Sequence, residues 1–121
     1  MKNITEQLDF LEIKNKSELS DLLEMMVNNN DFTFEFANGQ EYRIISECVI
    51  MDTYFEEQED MLIEVYPQMF DSNLWWVEID MKKTIQNLLD ADGYGNLFAS
   101  YDGKDNEVTL DRDLFHFFRT N

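Results

Sequence analysis

The chain has 121 residues, of which 26 are Asp or Glu and nine are Lys or Arg, for a formal charge of -17 at pH 7. That length suffices for one hydrophobic core, and 44% hydrophobic with 14% aromatic residues fill it, which excludes a disordered chain despite the charge. The same charge excludes direct binding to nucleic acid or to an anionic membrane, since both require basic patches.

A single cysteine, Cys48, permits no internal disulfide and suits a reducing compartment. The first residues, MKNITEQLDF, carry no apolar signal segment, and no apolar run approaches the roughly 18 residues of a membrane span. One cytoplasmic domain over residues 1–121, monomeric and without a cofactor, is expected.

Residues 3–14 read as a short helix, with Asn3 and Glu6 at capping-box spacing and Ile4, Leu8 and Leu11 at helical intervals. A second helix covers 17–28, with Ser17 as N-cap and Leu19, Leu22, Leu23 and Met26 on one face. The period then switches to two in Phe32-Thr33-Phe34-Glu35-Phe36, and a turn at Asn38-Gly39 leads to Tyr42 and Ile44. A two-residue loop would pair Phe36 with Glu41 and Phe34 with Arg43, mixing charge into the aromatic face. A three-residue loop over 37–39, with Gly39 left-handed, pairs Phe34 with Tyr42 and Phe32 with Ile44; it keeps one face apolar, and burial specifies register strongly. The three-residue loop is expected.

The second strand is read as running on through Cys48, Val49 and Ile50 towards Phe55. An acidic connection, Glu56-Glu57-Gln58-Glu59-Asp60, leads to a strand at Met61–Tyr66 that Pro67 ends. Leu74-Trp75-Trp76-Val77-Glu78-Ile79 reads as a central strand. Asp80 is expected to cap a helix over 81–90 that buries Met81, Ile85, Leu88 and Leu89 and stops at Gly93 or Gly95. Leu97–Tyr101, a turn over 102–106, Val108 with Leu110, and Leu114–Arg119 complete the strands. The expected fold is α+β: an antiparallel sheet of about five to six strands with two N-terminal helices and one inserted helix.

Catalytic chemistry finds little support. Nucleophilic catalysis by Ser or Cys needs a base, and the only histidine, His116, lies between Phe115 and Phe117 where a surface or edge position is expected. Cys48 is expected to pack as a small apolar residue. Asp90-Ala-Asp92-Gly-Tyr-Gly95 opens like a calcium loop, but Tyr94 and Tyr101 stand where carboxylate ligands are needed. Zinc lacks enough Cys and His in the sequence, and no glycine-rich phosphate loop exists. No catalytic, metal or cofactor-binding residue is assigned, and the chain is expected not to be an enzyme.

The acidic distribution is more informative. Residues 44–81 contain no basic side chain, but they hold ten carboxylates: Glu47, Asp52, Glu56, Glu57, Glu59, Asp60, Glu64, Asp71, Glu78 and Asp80. The helices add Glu6-Asp9-Glu12 and Glu18-Asp21-Glu24. Carboxylates three residues apart on a helix have Cβ atoms about 5–6 Å apart, and alternate ones on a strand lie about 6.5–7 Å apart. Both intervals are similar to those between successive phosphates of a nucleic-acid strand. Trp75 and Trp76 point to opposite faces of a strand, so one of them can serve as an exposed interface anchor.

In size, charge and α+β make-up the chain resembles the small acidic DNA-mimic proteins, among them neisserial proteins that bind the nucleoid protein HU and phage inhibitors of restriction or CRISPR nucleases. The resemblance is carried by the acidic span 44–81 and the helix stripes. It implies a non-enzymatic inhibitor that occupies the DNA-binding surface of a basic protein through Glu47, Asp52, Glu56, Glu57, Glu59, Asp60, Glu64, Asp71 and Glu78. Two other classes fit the same composition: an immunity protein neutralising a nuclease-type toxin, and a small carboxylate-dependent hydrolase.

Overall fold

The computed structural model describes residues 3–13, 15–27, 29–65 and 81–121. The N-terminal signals produce less helix than their spacing predicts. Asn3 accepts the Glu6 N–H at 2.9 Å, as a cap should, but α1 spans only Ile4–Gln7. A 3-10 turn over Asp9–Leu11 follows, and Glu12 closes it in the left-handed region at φ 54°. Helix α2, Lys16–Met25, is capped by Asn15 rather than Ser17. The Asn15 carboxamide oxygen accepts both the Glu18 N–H and the Ser17 hydroxyl at 2.8 Å, so Ser17 lies inside the first turn.

Strands β1, Asp31–Glu35, and β2, Glu41–Ser46, form a hairpin in the register that burial dictates: Phe34 faces Tyr42 and Phe32 faces Ile44. The Phe36 N–H donates to the Gln40 carbonyl at 2.8 Å, which leaves residues 37–39 as the loop, and Gly39 takes φ 89°. Glycine enters that region without the steric cost a Cβ would bring.

After Ser46 the chain departs from expectation. Residues 48–55 and 61–65 are not strands; Tyr66, the last residue of the expected strand, lies outside the described residues. One helix, α3, runs over Glu47–Val65 and takes in the supposed acidic connection. Its buried residues, Ile50, Tyr54 and Gln58, recur every four positions, which is the helical repeat. Helix α4, Met81–Asp92, forms where expected, buries Ile85, and ends at Gly93, which takes φ 72° and donates its N–H to Leu89 at 2.8 Å. The expected strand at Leu74–Ile79, with the Asp80 cap, lies outside the described residues.

A second correction falls on 97–101. Gly95–Phe98 is a short helix, α5. The turn is drawn tight by the Ala99 N–H donating to Gly95 at 2.9 Å and the Gly103 N–H donating to Ala99 at 2.8 Å. Strands β3, Asn106–Leu110, and β4, Asp113–Arg119, then pair antiparallel. Among the described residues the sheet has four antiparallel strands, not five or six, in the order β1-β2-β4-β3.

Both faces of this sheet are covered. On one side α1 and α2 pack Leu8, Leu11, Leu22 and Met26 against Tyr42, Ile44, Phe115 and Phe117. On the other, α3, α4 and α5 bring Ile50, Tyr54, Ile85 and Phe98 against Ile45 and Phe118. Two-sided burial explains why Ile44-Ile45-Ser46 and Phe115–Phe118 are buried at every position rather than at alternate ones. At the β3 edge the Gln7 side chain docks on the Thr109 backbone: its Nε2 donates to the Thr109 carbonyl at 3.0 Å, and its Oε1 accepts the Thr109 N–H at 2.7 Å.

The β3–β4 loop is two residues, Asp111 and Arg112, with φ 50° and 74°. Positive φ at both positions is the requirement of a type I′ hairpin, for which Asp-Gly is among the preferred pairs. Arg112→Gly should therefore stabilise the protein by about 0.5–1 kcal/mol, read as a higher urea midpoint at unchanged m-value.

Candidate functional site

The acidic span is a helical surface. Asp52, Glu56, Asp60 and Glu64 follow one another along α3 at four-residue spacing, about 6 Å of rise per step, with Glu59 beside them. All five are exposed, and no cation pairs with them among the described residues. Met51, Met61, Ile63 and Val65 place exposed apolar side chains on the same helix. The carboxylate interval is therefore that of a helix, where Glu56–Asp60 is expected from sequence to be a connection between strands.

The other predicted residues divide. Glu47 and Glu57 belong to α3 but turn towards the protein. Asp71 and Glu78, and the candidate anchors Trp75 and Trp76, lie outside the described residues. Glu6, Asp9 and Glu12 form no helical stripe, because α1 ends at Gln7. Glu18, Asp21 and Glu24 do lie on α2, but α2 covers the sheet face opposite to α3. Glu18 is also occupied, accepting the Ala37 N–H at 2.6 Å. One flat partner surface cannot meet both helices.

Arg43, which composition gave no reason to single out, fixes the acidic helix. From the middle of β2 it donates Nε and Nη2 to the two Asp31 oxygens at 3.0 and 2.7 Å, and Nη1 and Nη2 to the two Glu57 oxygens at 2.9 and 2.7 Å. Its guanidinium also lies 4.9 Å from the Phe98 ring centroid. The hydrogen bonds to Asp31 and then Glu57 outweigh burial and hold its pKa above the ordinary arginine range. The planar fork ties β1, β2 and α3 together in a way that a lysine could not reproduce.

His116 is not a surface or edge residue. It lies on β4, a central strand, with its side chain 3% exposed. It does point away from Phe115 and Phe117, as alternation requires, but that second face is roofed by α3, the helix that the β reading of 48–55 removed. Both ring nitrogens meet carboxylates. Nδ1 lies 2.8 and 2.9 Å from the two Asp105 oxygens, and Nε2 bonds Glu47 at the start of α3. Phe118 stacks on the ring at an interplanar angle of 6°, and Tyr94 meets it edge-on. Burial, the largest single influence, disfavours the imidazolium, but the hydrogen bonds and charges of Asp105 and Glu47 together prevail, and the pKa ends above the ordinary value.

That direction fixes a pH dependence. A raised folded-state pKa contributes stability that is complete below the unfolded-state value of about 6.5 and is lost as pH rises through the folded value. Urea unfolding in chelator-containing buffer should show stability falling from pH 6 upwards. A Glu47→Gln/Asp105→Asn variant should show a flatter profile over the same window. Equal slopes would refute the assignment.

Two further expectations resolve simply. Cys48 does not pack as an apolar core residue; it is exposed in the first turn of α3, and its thiol donates to Asn29 Oδ1 at 2.8 Å. Asp90 and Asp92 belong to the last turn of α4 rather than to a calcium loop. No helix among the described residues is long and apolar enough to cross a membrane. Compared with protein-family models, with curated proteins and with solved structures, the chain matches none of them.

Proposed function

We propose that the chain is a non-enzymatic acidic binding protein of the cytoplasm, a DNA mimic that occupies the nucleic-acid-binding surface of a basic protein and inhibits it. The observation that carries this reading is the row Asp52, Glu56, Asp60 and Glu64, with Glu59 alongside, exposed on one helix and without internal cations among the described residues. Arg43 and the Glu47–His116 contact hold that helix to the sheet, so the array is rigid before a partner arrives. Rigidity matters because a preorganised surface loses little freedom on binding. Lys and Arg that neutralise phosphates in a groove would meet carboxylates at a comparable interval.

The exposed Met51 and Ile63 among these carboxylates favour a second reading, an immunity protein that seats apolar side chains in a toxin. Competition distinguishes the two. The immobilised protein should retain a basic nucleic-acid-binding protein at low salt, and duplex DNA should release it in proportion to its affinity for that protein. Charge reversal by Asp52→Lys, Glu56→Lys and Asp60→Lys should weaken the captured complex by about 100-fold or more, mostly through lost electrostatic complementarity. Retention of a partner that DNA does not displace would favour the immunity reading. Failure to retain any basic protein at low salt would overturn both.

A further inference from the structure

The cluster around His116 offers more than an ion pair. The side chains of Asp105, Glu107 and His116 each present a ligand atom within 4.8 Å of the other two. The sheet register builds this set. Glu107 is the direct cross-strand partner of His116, Asp105 stands two residues earlier just before β3, and all three converge on the face that α3 covers. The imidazole is buried, while Asp105 and Glu107 are exposed above it, so an ion arriving from solvent meets the carboxylates first.

We propose that Asp105, Glu107 and His116 form a binding site for one first-row divalent transition metal ion, with zinc as the fitting probe. The ligand chemistry selects the class: one imidazole with two carboxylates suits zinc or a neighbouring metal, whereas calcium and magnesium favour all-oxygen sets. Nδ1 is the nitrogen directed at Asp105, and both Asp105 oxygens face it at nearly equal distance, 2.8 and 2.9 Å. Ligands bound to zinc at about 2.0–2.1 Å in tetrahedral geometry lie roughly 3.3 Å apart. Asp105 therefore needs a shift of only a few tenths of an ångström, and the exposed Glu107 side chain supplies the larger movement. The ion takes the place of the Nδ1 proton, which is released to solvent.

The other ring nitrogen completes the case. Metal-bound histidines regularly donate their second N–H to a carboxylate, which fixes the tautomer and orients the ring. Glu47 holds Nε2 in that way from the first turn of α3. It acts as a positioning residue, and the remaining coordination positions face solvent as water sites. The sequence hid this set because its members come from three separate segments, residues 47, 105–107 and 116, with no ligand-spacing motif.

A chain this acidic attracts cations everywhere, so the test must separate a built site from diffuse association. Chelator-treated protein is titrated with zinc chloride by calorimetry in the presence of millimolar magnesium. One ion per chain should bind with a dissociation constant in the low micromolar range or tighter. Glu107→Gln should weaken binding by at least tenfold and Glu47→Gln by about 10- to 100-fold, with circular dichroism confirming that both variants fold. A Glu56→Gln/Glu59→Gln/Asp60→Asn variant on α3 should bind within twofold of the parent. Cobalt substituted for zinc should give visible ligand-field bands that Glu107→Gln alters. Binding that magnesium abolishes, a stoichiometry that does not saturate at one, or equal affinities for parent and Glu107→Gln would overturn the proposal.

Discussion

Gly95→Ala should cost about 3 kcal/mol, an overpacking penalty with no easy relief. A Cβ built on Gly95 lies 2.2 Å from the Gly103 carbonyl oxygen, 2.8 Å from its carbon and 3.2 Å from the Lys104 carbonyl carbon. These are backbone atoms, so the clash cannot be relieved by a rotamer change. The 99–104 turn must move away from α5, and the Gly103 N–H bond to Ala99 moves with it. Phe98, buried against Phe118 and Tyr54, sits in the same helical turn. In urea titrations the midpoint should fall markedly. A control at Gly93, whose Cβ would meet nothing within 4 Å but whose φ is 72°, should cost only about 1 kcal/mol when replaced by Asn, which tolerates that region. Gly95 is helical and has no positive φ, so comparable losses at the two positions would show that the 99–104 turn yields and that the crowding is cheaply relieved.

Arg43→Ala should be similarly damaging, at about 2–3 kcal/mol. The Arg43 side chain is 23% exposed, and its removal strands two carboxylates that are 30% and 39% exposed. Breaking a fully buried pair costs about 3–5 kcal/mol, and partial hydration of Asp31 and Glu57 reduces that figure. The lost contact with the Phe98 face adds about 0.5–1 kcal/mol. Arg43→Lys keeps the charge but meets neither carboxylate with two parallel bonds, so it should recover less than half of the loss. Lys104→Ala, removing an exposed cation of equal charge, should stay within about 0.5 kcal/mol. If Arg43→Lys restores full stability, net charge rather than the two-sided fork is what Arg43 contributes.

The parts of the fold that were legible in the sequence are those where burial admits a single answer. The β1–β2 register could be chosen because the competing register placed Arg43 and Glu41 in an aromatic row. Helix α4 was legible from the four-residue spacing of Ile85 and Leu89 and from Gly93. Helix α3 was not, for two physical reasons. Its first turns contain Val49, Ile50 and Thr53, whose branching favours strands when read locally. Its third buried position is Gln58, so the apolar repeat Ile50–Tyr54 breaks where a helix reading needs it to continue.

The same ambiguity hides the sites. Without α3 the second sheet face has no cover, which places His116 at the surface and conceals its carboxylate partners. The acidic residues were found by composition alone, because an absence of lysine is visible in any fold. Their division into an outward row, an Arg43 ligand and a His116 ligand depends on which way each faces around α3. Arg43 itself offered no sequence signal beyond being the last cation before the acidic span.

The Gln7 side chain on Thr109 has a consequence for how this protein behaves at high concentration. An exposed edge strand offers an unpaired N–H and C=O to any extended chain that approaches, and soluble proteins survive by obstructing that approach. By occupying both groups of Thr109, the Gln7 amide imitates one rung of a neighbouring strand and ends the ladder there. Beside it, Glu107 adds an exposed charge to the same border. At the opposite border, β1 exposes Glu35, which pairs with no cation among the described residues, so a second copy would bring like charges together. One margin of the sheet is thus obstructed by mimicry of its own backbone and the other by charge, and both features disfavour strand-to-strand pairing between copies.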